Sequence, residues 1–206
     1  MSSSSDDLSS LRRLALYSSL LAIAIAVIAN LAYFSAFGWD LKAGFYGDPA
    51  AILGRGAAAA SLLRWGVIGD LFYGYLLWIP MALFLHRRLR PLKPWLADLG
   101  TVAAFAYIFV GAAGAAMMAT AGSSLVEQYA NALPLDRAAI ATSFDVLRNV
   151  VFFGLWQTLD PITAGTWVAS VGLLLKTERR WLSSLLIVIA VGLFSLSLMT
   201  MLEIRL

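Results

Sequence analysis

The sequence predicts an all-α protein, a polytopic transmembrane helix bundle of five spans, and three observations carry that prediction. First, 61% of the 206 residues are hydrophobic and 13% charged, with mean hydropathy +0.81, where a soluble domain carries about a quarter charged residues. Second, the apolar residues come in runs of about 20, the length that crosses a hydrocarbon core of about 30 Å. Third, basic residues gather in short segments beside those runs, where they report orientation. The excess of 15 Lys and Arg over 12 Asp and Glu is small, so the lipid bilayer is the expected partner and no nucleic acid is. The chain has no cysteine, which excludes disulfides, thiolate metal sites and cysteine nucleophiles.

Four runs are plain: 14–37, 65–85, 99–121 and 182–202. The first exceeds the roughly 7–15 residues of a signal peptide's apolar core. It predicts a retained helix behind a disordered cytoplasmic tail, 1–13, with 14–206 as a single transmembrane domain. The remaining run, 149–175, is interrupted by QTLDPIT at 157–163. Counted as one span it makes five helices; cut at Asp160-Pro161 into a hairpin it makes six. With five, Arg12, Arg13, Arg87, Arg88, Arg90, Lys93, Lys176, Arg179 and Arg180 share one side, and Lys42, Arg55, Arg64, Arg137, Arg148 and Arg205 are spread over longer loops on the other. Short cytoplasmic loops carry such an excess. Five helices, with the N-terminus inside and the C-terminus outside, in the inner (plasma) membrane, are therefore expected; the hairpin would also leave 161–175 short of the usual ~17 residues.

The loops and helix faces add detail. Gly47-Asp48-Pro49 reads as a helix start, with Asp48 as N-cap and Pro49 at the first helical position. Ser124 and Glu127 fit a capping box that would open a short helix with Leu125, Tyr129 and Leu133 on one face. Asp136, after Pro134, is expected to cap a helix that runs into the fourth span. In the third span Gly100, Ala104, Gly111, Ala115 and Gly122 form a small-residue stripe that lets a neighbour approach closely. Trp39, Trp65, Trp95 and Trp181 fall at span ends, as an aromatic belt would have them.

From about 44 to 198 the order of features resembles a bacterial family of uncharacterised multi-pass membrane proteins, domain-of-unknown-function family 4386. The residues that carry it are Gly47-Asp48-Pro49, LLRWGVIGDL at 62–71, LHRRLRPLKPWLADLG at 85–100, and VVFFGLW at 150–156 followed by a basic turn and a last apolar helix. The resemblance implies the topology and no activity. QTLDPIT departs from the family's pattern, which stays apolar there.

Ionisable residues in lipid cost at least about 2.5–3.5 kcal/mol at mid-helix. Asp70, Asp145, Arg148 and Asp160 fall within or at the mouths of spans, with Asn30 and Gln157 as uncharged company, all in the expected outer half. At 100° per residue Asn149, Trp156 and Asp160 share a helix face. Asp145 and Arg148 are spaced to pair. Asp70, about 9 Å below Arg64 at 1.5 Å per residue, is expected to reach Arg148 and complete an ion-pair cluster.

Two readings of Asp160-Pro161 stand side by side. In one, Asp160 is the N-cap of a second half-helix and the fourth span is simply broken there. In the other, the same break lines a cavity, with Gln157, Thr158, Asp160, Thr163 and Thr166 as its polar wall and Asp160 as a proton carrier. The lone His86 sits in the basic run HRRLRPLK and is read as an interfacial charge. No Ser-His-Asp set, HExxH or phosphate loop is present, and no cofactor or metal is implied. A non-catalytic membrane protein that packs its polar cluster, or offers it to a membrane partner, a second copy or a small ligand, is the first expectation. A small-solute or ion-coupled transporter or channel-like protein is the alternative.

Overall fold

The computed structural model describes residues 3–202, and their regular structure is helical throughout. Helix α1 covers Ser3–Ala36, and α2, Leu41–Tyr46, crosses the end of the bundle. The second span strings together α3 (Pro49–Ile52), a 3₁₀ turn (Leu53–Arg55), α4 (Gly56–Asp70), a π-helical stretch (Leu71–Tyr75), a second 3₁₀ turn (Leu76–Trp78) and α5 (Ile79–Leu89). The third joins α6 (Pro94–Met117) through a π-helical stretch (Met118–Gly122) to α7 (Ser123–Asn131). The fourth joins α8 (Pro134–Arg148) through a π-helical stretch (Asn149–Leu159) to α9 (Asp160–Leu174), and α10 is Arg180–Met201.

Five stretches are long and apolar enough to cross a membrane: Asp7–Ala36, Pro49–Leu89, Pro94–Asn131, Pro134–Leu174 and Arg180–Met201. The chain is a multi-pass membrane protein. Arg88 Nη2 donates to Glu178 Oε2 at 3.0 Å, which places the turn after the second span and the turn after the fourth at one end of the bundle. That contact, with the continuous helix through 161, excludes the hairpin and leaves five spans. The end holding Arg88, Arg90, Lys93 and Arg180 is called the basic end below.

Several local expectations change. Residues 3–13 continue α1 instead of forming a disordered tail, because adding turns to an existing helix is far cheaper than nucleating one; residues 1–2 lie outside the described part. Asp48 does cap α3, accepting from Ala50 N at 2.9 Å ahead of Pro49. The Ser124–Glu127 capping box does not form, since α7 grows directly out of the third span and has no free N-terminus to cap. Instead Glu127 faces Arg64 at 3.9 Å. Asp136 sits in the first turn of α8 without capping it, where its charge still favours the helix dipole.

A 41-residue span measures about 60 Å, twice the hydrocarbon thickness. At the basic end the helices stop together, tied by Arg88–Glu178 and by Arg90–Asp98 at 3.1 Å. The surplus therefore projects at the opposite end, where α3, α4, α7 and α8 enclose a core of Ile52, Leu63, Val67, Val126, Phe144 and Val151, each no more than 1% exposed. Closer to the basic end, large apolar side chains such as Ile28, Phe109 and Val188 point outward, as a lipid-facing surface requires. The small-residue stripe of the third span is buried along its length. Gly100 receives Ser170, and Gly111 lies under the Tyr75 ring.

Candidate functional site

Two widened turns make room inside the bundle. Pro161 has no N–H for the carbonyl of Gln157 and its ring crowds that carbonyl. The chain answers with π-helical turns over Asn149–Leu159, so the helix is re-spaced and not cut. Asp160 has helical dihedrals (φ −57°, ψ −52°) and makes no cap hydrogen bond. The N-cap reading of Asp160, and with it the break, is thereby corrected. Pro80 stands in a similar relation to the π-helical and 3₁₀ turns of the second span.

Between these turns lies a cavity of about 320 Å³, closed by the first and fifth spans and roofed by α2. Asp160, 14 residues from the end of α9 at Leu174, is about 21 Å from the basic end at 1.5 Å per residue. The residue is 7% exposed. Oδ2 accepts a hydrogen bond from the Tyr75 hydroxyl at 2.8 Å, while Oδ1 is buried with no hydrogen-bond partner among the described residues. Tyr75 is held by its seat on Gly111 and by the Tyr107 ring at 5.3 Å. Asp70 lines the same cavity, its Oδ1 lying over Gly74. Near it, Asn30 Nδ2 donates to the Tyr73 hydroxyl at 3.0 Å. Among the described residues no Lys or Arg lines the cavity.

Gln157 holds the roof. Its Nε2 donates to the carbonyl of Phe45 at 3.2 Å, and the Tyr33 hydroxyl donates to the carbonyl of Gly44 at 2.7 Å. Helix α2 is bracketed by left-handed residues, Gly38 (φ 69°), Trp39 (φ 65°) and Gly47 (φ 61°). The missing Cβ of Gly47 is filled by the Phe152 ring. Trp156 lines the cavity while its indole N–H donates to the carbonyl of Gly111 at 3.3 Å.

Of the residues singled out from sequence, Asn30, Asp70, Trp156, Gln157 and Asp160 therefore meet at one cavity, whereas Asp145, Arg148, Asn149 and Thr163 do not line it. Arg148 pairs with Asp145 at 2.8 Å, donates to Asn149 Oδ1 at 3.1 Å and lies over the Phe153 ring. Asp70 takes no part in that pairing; among the described residues it forms no ion pair, so the expected ion-pair cluster reduces to Asp145–Arg148. Asn149 is exposed, because a π turn advances each residue by less than 100° and rotates it off the face of Trp156 and Asp160. Thr163 and Thr166 turn back onto the carbonyls of Leu159, Asp160 and Ile162, and Thr158 onto that of Phe153, so these hydroxyls are spent on their own helix.

Sequence reasoning missed Tyr33, Tyr73, Tyr75 and α2. A signal existed for the tyrosines. A phenol at membrane depth needs a hydrogen-bond partner, and Tyr73-Gly74-Tyr75 begins three residues after Asp70. No family model matches the chain, and no curated protein or solved structure matches it either, so the family resemblance rests on the motifs quoted for it.

Proposed function

We propose that the protein is a non-catalytic membrane protein that binds a small solute in the cavity beneath α2, taken up from the outer side. The observation that supports this reading is the unpartnered Oδ1 of Asp160 at the wall of a void of about 320 Å³. Buried polar atoms are nearly always hydrogen-bonded, and a carboxylate at membrane depth is among the costliest of them. The volume falls at the lower end of small-ligand pockets, about 300–1,000 Å³. Thermal unfolding of the detergent-solubilised chain against a panel of small solutes tests it. A binder present at 100 times its Kd adds about 2.7 kcal/mol. Leu196→Trp, which fills the cavity from the fifth span, is expected to abolish that gain. A panel without any stabilising solute, or equal stabilisation of the filled variant, removes the reading.

A second reading, transport, draws on the joining of the wide turns of two spans at the cavity, since irregular backbone at membrane depth is tolerated where it lines one. Five spans without halves suit alternating access only as an oligomer. Uptake by liposomes reconstituted with cross-linked and uncross-linked protein separates transport from binding alone.

A further inference from the structure

We infer that the ligand of this cavity is a small organic cation whose ammonium group is held between Asp70 and Asp160; the inference rests on the ligand-binding reading above. The two acids stand on different spans at one void, with no Lys or Arg among the described residues on its wall. Asp160 is 7% exposed, and one oxygen is already committed to Tyr75 while the other is free. A buried carboxylate without a partner charge is costly, and a cleft lined by one sign of charge concentrates the opposite sign. Anions are rejected by the same field, and a neutral solute leaves both acids uncompensated.

The rest of the wall selects among cations. A hard metal ion such as Ca²⁺ takes about 6–8 oxygen ligands, but among the described residues no group of three or more His, Cys, Asp or Glu side chains comes together. The wall instead carries aromatic rings, among them Tyr33, Tyr73 and Trp156. Aromatic rings attract alkylammonium groups and solvate their apolar substituents. The phenols of Tyr73 and Tyr75 add hydroxyls beside the two acids. That chemistry fits an amine or quaternary ammonium of a few carbons.

The cysteine-free chain allows a direct test. Val67→Cys and Leu196→Cys place a thiol on the cavity wall from the second and the fifth span, and Leu135→Cys, at a position 93% exposed, is the control. Each full-length variant in detergent is treated with three methanethiosulfonates: trimethylammonioethyl (cationic), sulfonatoethyl (anionic) and methyl (neutral). The expected result is that the cationic reagent outpaces the anionic one in the cavity by about tenfold or more, relative to the control. Asp70→Asn and Asp160→Asn should each pull that ratio toward the control. If the neutral reagent modifies the cavity thiols while the charged pair shows no preference, the cation inference is overturned and ligand binding stands. If no reagent reaches either wall, the cavity is closed and both readings fall.

Discussion

At the scale of single residues, the Tyr75–Asp160 hydrogen bond is the most consequential contact in the molecule. It spans two helices at membrane depth, 2.8 Å from hydroxyl to carboxylate, and among the described residues Oδ1 of Asp160 has no partner to take over. Tyr75→Phe strips the last donor from a buried acid, so it is expected to destabilise the detergent-solubilised protein by ~1–3 kcal/mol. In an Asp160→Leu background the same change should cost distinctly less, because no acid is left to strand; a double-mutant cycle on thermal unfolding measures the difference. Equal costs in both backgrounds would mean that Tyr75 matters only as a packed ring. Gly111→Ala reaches the same bond from behind. A Cβ at Gly111 overlaps the Tyr75 ring, and overpacking of this kind costs ~1–3 kcal/mol. Because the ring must move, Gly111→Ala is also expected to lose the coupling between Tyr75 and Asp160, which the same cycle repeated in that variant reads out.

Elements show why part of this was legible in the sequence and part was not. Runs such as 99–121 announce spans because lipid imposes one composition on about 20 consecutive residues. Asp48-Pro49 announces a helix start because both residues act on their own backbone. The small-residue stripe of the third span was likewise legible, since a bare helix face has one use in a bundle. The π turns were not: a change from i→i+4 to i→i+5 bonding leaves no mark in hydropathy, and it rotates Asn149 out while turning Trp156, Gln157 and Asp160 in. The roof, α2, was missed because its six residues are held by tertiary contacts from Gln157 and Tyr33. Those contacts are open to test. Gln157→Leu keeps the side chain's bulk and removes the donor to Phe45, with an expected cost of ~1 kcal/mol and faster amide exchange confined to α2. Pro161→Ala returns the N–H that the carbonyl of Gln157 lacks and adds up to ~3 kcal/mol of helix propensity. It is expected to raise the melting temperature while also speeding exchange in α2, because a regular helix turns Gln157 away from the roof. If α2 exchange stays slow in Pro161→Ala, the wide turns are maintained by packing, for instance by Ser197 donating to the carbonyl of Thr158 at 3.0 Å.

At the scale of the whole molecule the bundle is lopsided, and the lopsidedness decides which compartment the cavity serves. At the basic end the helices stop abreast, with Arg88 on Glu178; at the other they project beyond lipid thickness and enclose a core of their own. Helix α2, which roofs the cavity, lies at that projecting end. If the positive-inside rule holds, the basic end is cytoplasmic and the cavity samples the outer compartment. Single cysteines at Lys93, Thr177 and Leu135 decide this on intact cells with a membrane-impermeant maleimide. Leu135→Cys is expected to label at once, whereas Lys93→Cys and Thr177→Cys label only after permeabilisation. A Thr177→Cys that labels together with Leu135→Cys would restore the hairpin and break the link made by Glu178. Labelling of Lys93→Cys and Thr177→Cys with Leu135→Cys protected would keep the five spans but invert them, so that Asp70 and Asp160 face the cell interior and draw their cation from the cytoplasm.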